Sequence, residues 1–464
     1  DARVKIGTED STYKYGIGSL LPSSPTDHIE VKNVNFKAYG QKTLDVKGIE
    51  ATENINIEIK GSGANSTATF LKPIFTENGN VNIKTSGLKA LKLGSVESGE
   101  KDVTIDTGAD NYLQTADIRY IRGENVTLNL SNVTAPINNY SDPIEIKAGE
   151  SITINGYNAW PTWVEIDAGW GNGNPNLKTF IANLTNAYGR IGSYIHDYIE
   201  NIVVKGGMTN PEHLISAGID TELLVSGLRI SSLKTIDLSE YDNASGTTKI
   251  TTIDGAVYND NVTTVKGSKT KDEIEIGSKN LKLVDSGAGD DKVKFTITQT
   301  KDITVNLGAG NDEIKFDGAT ELTANKKFQI SGGEGNDTFI LGLAKTDADA
   351  SKYVTITDAS RGDKISLGST GTARLQKISL NVDSRADLKT AINDALGSLS
   401  STDADTIYAV YYGNDTYLVR DDNGNKTLDN NDNLVKLAGI SNFDLLNANS
   451  VTQGGVNYIE ITNA

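Results

Sequence analysis

Three stretches carry the same chemical design: SGAGDDKVKF at 286–295, LGAGNDEIKF at 307–316 and SGGEGNDTFI at 331–340. Aligned on Asp291, Asp312 and Asp337, each has a glycine four residues back (Gly287, Gly308, Gly333) and another two back (Gly289, Gly310, Gly335). Two residues on stands an apolar anchor: Val293, Ile314 or Phe339. Glycine enters backbone regions closed to other residues, so such a loop can turn carbonyl oxygens inward. The aspartate adds a carboxylate at the loop's end. Carbonyls and carboxylates without sulfur or imidazole form a hard-oxygen set suited to Ca2+. One loop cannot supply the roughly six to eight ligands that calcium takes, but two stacked loops can.

The spacing argues for stacking. The aspartates are 21 and 25 residues apart, which is one coil of a solenoid each, so several Ca2+ ions would lie between coils along one edge. The opposite edge, 298-TQTKD-302 and 317–327, lacks the paired glycines. Both flanks depart from the pattern. Upstream, Gly267 and Asp272 are one residue too far apart; downstream, Asp363 and Ile365 are kept while Ala359 and Arg361 replace the glycines. Asp358 and Asp363 either close the last site or cap the stack. Taken singly, each loop also reads as a polar turn. A phosphate cradle does not fit, because the Gly-Lys-Ser/Thr ending is absent and strands, not helices, follow.

The elements that would position these loops are short alternating runs, such as 54-NINIEIK-60, 81-VNIKTS-86, 103-VTIDTG-108, 125-NVTLNL-130 and 151-SITING-156. Period two with Val, Ile and Thr predicts strands with one buried face. Their starts recur: Ile55, Val81, Val103, Val126 and Ile152 are separated by 26, 22, 23 and 26 residues. Leu281, Ile303, Phe328 and Val354 follow at 22, 25 and 26. That period favours a parallel β-helix or β-roll whose coils pair with their neighbours. An antiparallel sandwich with evenly spaced strands is the competing reading. Two regions break the period. Residues 157–200 read as an irregular insert holding all three tryptophans, and 384–399 read as a helix with Ser384 and Asp387 in a capping arrangement. The expected organisation is an all-β solenoid body over 1–255, a calcium roll over 256–370, and a small β-rich unit with one helix over 371–464.

Composition narrows the partners. The 61 acidic residues outnumber 44 basic ones for a formal charge of −17, with no basic stripe to hold nucleic acid or an anionic membrane. There is no cysteine, which excludes a disulfide scaffold and a thiolate zinc site. No run of eighteen apolar residues suggests a transmembrane helix. The opening DARVKIGTED reads as a cut into a longer chain or a processed start.

GAGNDEIKF and GGEGNDTFI resemble the nonapeptide repeat of RTX proteins. The resemblance covers about 265–367 and implies a parallel β-roll, calcium between loops, and export by type I secretion from a Gram-negative bacterium. It also implies backbone ligands at the six paired glycines and side-chain ligands at Asp291, Asp312 and Asp337. These coils are longer than the two nine-residue halves usual in the family. The end of the chain, 407–447, resembles the segment that follows such repeats in serralysin-like and surface-layer proteins, where the uncleaved C-terminus carries the secretion signal. Its oxygen-rich stretch 421-DDNGNKTLD-429 could hold another cation, yet it reads as lacking the EF-hand spacing, and a polar hairpin loop accounts for it equally. The Thr/Asn-rich body is similar in layout to surface-layer proteins.

The expected function is therefore structural: a non-enzymatic, extracellular surface-layer subunit that assembles into a calcium-dependent lattice, with outer-membrane polysaccharide reached through an anchor elsewhere. A secreted RTX adhesin is the alternative, and a calcium-dependent polysaccharide lyase or hydrolase a further one. A zinc protease requires HExxH, which none of His28, His196 and His213 provides. Trp163, Trp170, Glu165 and Asp167 could form a sugar platform with an acid, although tryptophans packing an irregular loop is the more ordinary account.

Overall fold

Alternation along the sequence becomes alternation of burial in space. In Ile55–Gly61 the side chains of Ile55, Ile57 and Ile59 are buried while Asn56 and Lys60 point outward. The same holds for Val81 and Ile83, Val103 and Ile105, and Val126, Leu128 and Leu130. The computed structural model describes residues 2–6, 32–46, 48–63, 65–108, 115–132, 144–157, 164–166, 178–191, 194–195, 199–215, 224–226, 232–242, 247–254, 257–258, 260–319, 322–343, 345–369, 371–440 and 447–463.

The coils stack in parallel, in the register that the spacing gives. Ile55 pairs with Val81, Val81 with Val103, Val103 with Val126, and Val126 with Ile152. Parallel pairing needs a long return connection between partners, and one coil supplies it. The fold is thus a β-solenoid, and the antiparallel-sandwich reading fails. Within 157–200, Thr179–Ile191 is no irregular segment: it pairs in parallel with Ile144–Tyr157 on one side and Asn201–Ile215 on the other. His28, Trp160, Trp163, Asp167, Trp170 and His196 lie outside the described residues.

Contacts divide the chain into two units, one comprising 1–233 with 240–245 and the other 234–239 with 246–464. In the first unit a file of polar residues holds the corner before each strand. The side-chain oxygens of Asn33, Asn54, Asn80 and Asp102 accept from the backbone N–H of Asn54, Asn80, Asp102 and Asn125, at 3.2, 3.0, 3.1 and 3.3 Å.

In the second unit, two parallel sheets form a roll. One stacks Thr264–Lys266, Leu283–Asp285, Ile303–Asn306, Phe328–Ser331 and Val354–Ile356. The other stacks Thr248–Thr251, Asp272–Ile276, Lys292–Ile297, Glu313–Ala319, Thr338–Ile340 and Lys364–Ser366. Leu281 is one place out of the expected file, because Val284 is the residue that pairs with Val305. The roll's core includes Phe295, Phe316 and Phe328, with ring centroids 4.9–5.6 Å apart.

The C-terminal segment finishes both sheets. Thr406–Tyr412, Asp415–Arg420 and Asn433–Leu437 form an antiparallel meander whose last strand lies parallel to Val354–Ile356. The hairpin Asn447–Gln453 with Val456–Asn463 adds antiparallel to Lys364–Ser366. Open strand edges invite pairing with other chains, and these strands cover the last coil of the roll. The helix Leu388–Gly397 buries Ala391, Ile392, Ala395 and Leu396, and its N-cap is Asp387, which accepts from the Thr390 N–H at 2.8 Å. Ser384 is not the cap; the helix starts three residues later than that reading requires. No helix among the described residues is long and apolar enough to cross a membrane.

Candidate metal centre

The glycine–aspartate loops lie one above another at the corner leading into Lys292–Ile297, Glu313–Ala319 and Thr338–Ile340. All six paired glycines have positive φ, between 90° and 146°. The stacking is too close for any side chain: a Cβ on Gly308 would stand 1.9 Å from the Gly287 carbonyl oxygen, and one on Gly310 would stand 2.0 Å from that of Gly289. Gly333 and Gly335 meet Gly308 and Gly310 in the same way, at 1.8 Å each. The residues between the glycines bridge in parallel, Ala288 to Ala309 and Ala309 to Glu334.

Beside the glycines runs a ladder of five aspartates. The backbone N–H of Asp272 donates to Asp291 Oδ1 at 2.7 Å, Asp291 to Asp312 at 2.8 Å, Asp312 to Asp337 at 3.0 Å, and Asp337 to Asp363 at 2.9 Å. All five residues are at most 2% exposed. Asp291, Asp312, Asp337 and Asp363 thus each spend one carboxylate oxygen on a neighbour's backbone. The second oxygen distinguishes the rungs. Asp272 Oδ2 accepts from the Ser268 N–H at 2.6 Å and Asp363 Oδ2 from the Ser360 N–H at 2.7 Å, so both ends are closed by serine. Asp291 Oδ2 and Asp312 Oδ2 are buried without a donor of their own, since the Ser286 hydroxyl beside Asp291 donates to the Leu307 carbonyl at 2.6 Å.

Those two oxygens are the strongest chemical fact of the site. Unsatisfied buried acceptors cost about 1–3 kcal/mol each, and more when charged. Like charges one strand spacing apart, about 4.8 Å, repel by about 3.5 kcal/mol at an effective dielectric of about 20. Burial accordingly pushes the carboxyls up: Asp291 to about 8, Asp272 and Asp312 to about 7, and Asp337 to about 6. Neighbouring carboxylates add to the effect at Asp291, Asp312 and Asp337. A divalent cation between successive loops would relieve both costs. The residues fit Ca2+, with Asp291, Asp312 and Asp337 offering carboxylates and the glycine loops offering carbonyls. Among the described residues no three His, Cys, Asp or Glu side chains converge closely enough to hold a metal by themselves. A cation here must therefore draw on backbone oxygens, as the glycine geometry allows.

Asp358 stands apart from this ladder. Its carboxylate accepts from Gly332 N–H at 2.9 Å, Gly333 N–H at 3.0 Å and Ser331 Oγ at 2.5 Å, and so closes the third loop. Two rungs were less legible. The loop before Asp272 is as long as the next one, since Lys266 pairs with Asp285 and Glu273 with Lys292; Gly267 stands opposite Ser286, and Ser268, opposite Gly287, bonds the Asp272 carboxylate. Before Asp363, Gly362 takes φ of +99° directly over the Asn336 amide, so the glycine has moved to the neighbouring position.

A second oxygen-rich loop joins the antiparallel strands Asp415–Arg420 and Asn433–Leu437. Counting on to Asp432 corrects the view that it lacks EF-hand spacing. Asp421, Asn423, Asn425, Thr427, Asp429 and Asp432 fall at positions 1, 3, 5, 7, 9 and 12 of that twelve-residue frame. Position 6, where the frame calls for glycine, is Lys426 with φ of +63°. Asp421 Oδ1 accepts from the N–H of Gly424 and Asn425, and Oδ2 from that of Lys426, which wraps the loop around its first carboxylate. Asp421 and Asp432 are fully buried, and burial, with Asp429 and Asp421 nearby, pushes the Asp432 carboxyl up to about 6. The loop is therefore a polar hairpin connection and an EF-hand-like ligand frame at once. Asp432 is shorter than the glutamate usual at position 12.

No protein-family model matches the chain, and no curated protein matches it.

Proposed function

We propose that the chain is a secreted structural protein, a subunit of a bacterial surface layer, whose roll is closed by calcium outside the cell. The observation that carries the reading is the aspartate ladder with two orphan oxygens between glycine loops. Such a site is costly without a cation and tight with one. Cation binding to a site that exists only in the folded chain adds directly to folding stability. A chain of this design would stay loose where calcium is scarce, which suits export through a type I channel, and would set firmly at millimolar calcium, the weak end of calcium modules. Solenoid coils with polar outer faces offer repeated surfaces for self-association, and further calcium at lattice contacts fits the net negative charge.

The test is electron microscopy of the full chain with millimolar calcium. Ordered two-dimensional sheets that disperse on chelation are expected. Monodisperse particles at saturating calcium overturn the lattice, and leave a calcium-stabilised adhesin as the surviving reading.

A further inference from the structure

The first unit carries a cleft of 640 Å³ lined almost wholly by polar side chains. That volume lies within the roughly 300–1,000 Å³ of small-ligand sites, yet the usual apolar walls are missing. Its floor is a single file across five coils: Lys84 pairs with Asp106, Asp106 with Asn129, Asn129 with Asn155, and Asn155 with Asn183. The rungs repeat at about 4.8 Å, the strand spacing. The three asparagines form an amide ladder, with Asn183 Nδ2 donating to Asn155 Oδ1 and Asn155 Nδ2 to Asn129 Oδ1, both at 2.7 Å. An amide has two N–H groups and two acceptor lone pairs, so Asn155 keeps one of each for a ligand. At the margin Tyr157, 48% exposed, presents a flat ring.

We propose that this cleft binds a neutral polysaccharide lying across the coils. Adjacent donor and acceptor pairs at a fixed repeat suit vicinal hydroxyls on a linear polymer, and an exposed aromatic face suits the C–H face of a sugar ring. One lysine and one aspartate leave the floor without net charge, which disfavours polyanions. Every strand of the floor is hydrogen-bonded on both sides, so a peptide cannot enter by strand addition. The inference is independent of the calcium loops, which belong to the other unit.

Affinity electrophoresis of the full chain through gels containing dextran, mannan or galactan, with alginate and polygalacturonate as acidic controls, tests it. Retardation by at least one neutral polymer is expected, with a tenfold or larger rise in Kd for Tyr157→Ala at unchanged melting temperature. Asn155→Asp keeps the side chain's size but removes both N–H donors, the outward one and the one to Asn129 Oδ1; with a melting temperature equal to the parent's it should lose binding comparably, and it decides the matter if Tyr157→Ala does not fold. Retardation by acidic polymers only, by none, or equally by parent and variants overturns the proposal.

Discussion

Replacing Asp312 by asparagine should make the calcium-free protein more stable and the calcium-loaded protein less so. Asparagine preserves the oxygen that accepts from Asp291 N–H and removes a charge held between Asp291 and Asp337. The folded carboxyl titrates at about 7 against 3.8 in the open chain. Above pH 7 the unfolded state gains from ionisation that the folded state resists, so the charged form costs about 4 kcal/mol at pH 8. The sign follows from a raised carboxyl: this stability is present in full below about pH 4 and is lost as pH rises through about 7. For a unit of this size, about 4 kcal/mol corresponds to roughly 8–16 °C in Tm. Calorimetry in chelator at pH 8 should therefore show Asp312→Asn melting higher than the parent, with the gap closing toward pH 4. In calcium the order should invert, because the ion needs the ionised ligand. A variant that melts lower than the parent in chelator at pH 8 refutes the claim that the ladder holds uncompensated charge. An equal calcium response in both refutes the assignment of Asp312 as a ligand.

Gly310→Ala should prevent the second and first loops from stacking, since its Cβ would meet the Gly289 carbonyl at 2.0 Å; calcium titration followed by circular dichroism should lose a binding step. Asp421→Ala together with Asp432→Asn should remove one ion from the stoichiometry measured by titration calorimetry while leaving the roll's calcium-induced transition in place. Phe316→Ala, at 2% exposure in the aromatic core, should cost about 3–5 kcal/mol in urea unfolding with calcium present. Asp387→Ala should cost about 0.5–2 kcal/mol through loss of the helix N-cap, with no change in calcium affinity.

The solenoid was legible because its period is written twice, in apolar alternation and in the recurrence of strand starts. Val81, Val103, Val126 and Ile152 pair as their spacing requires. The glycine loops were legible for a stronger reason: only glycine tolerates both the positive φ and the 1.8–2.0 Å approach of the coil below. Local compensation hid the rest. Asp272 fails the glycine spacing because Ser268 stands where the next loop has Gly287, and its bond to the carboxylate is a folded contact rather than a motif. The orphan state of Asp291 and Asp312 is likewise a property of packing. The twelve-residue frame at 421–432 was present in the letters, but lysine at its sixth position and aspartate at its last masked it. Thr179–Ile191 was obscured by the Trp- and Gly-rich residues before it, which carry no alternation.

The roll's two margins obey different rules. On the aspartate side the loops 286–291, 307–312 and 332–337 are all six residues long, whereas the connections on the far side run over 298–302, 320–327 and 341–353. The coil grows from 21 residues between Asp291 and Asp312 to 26 between Asp337 and Asp363, and the register places that growth on the far side. That side behaves as a selvedge left open for grafting: a foreign peptide spliced into 323–327 should leave the glycine–aspartate loops at their count.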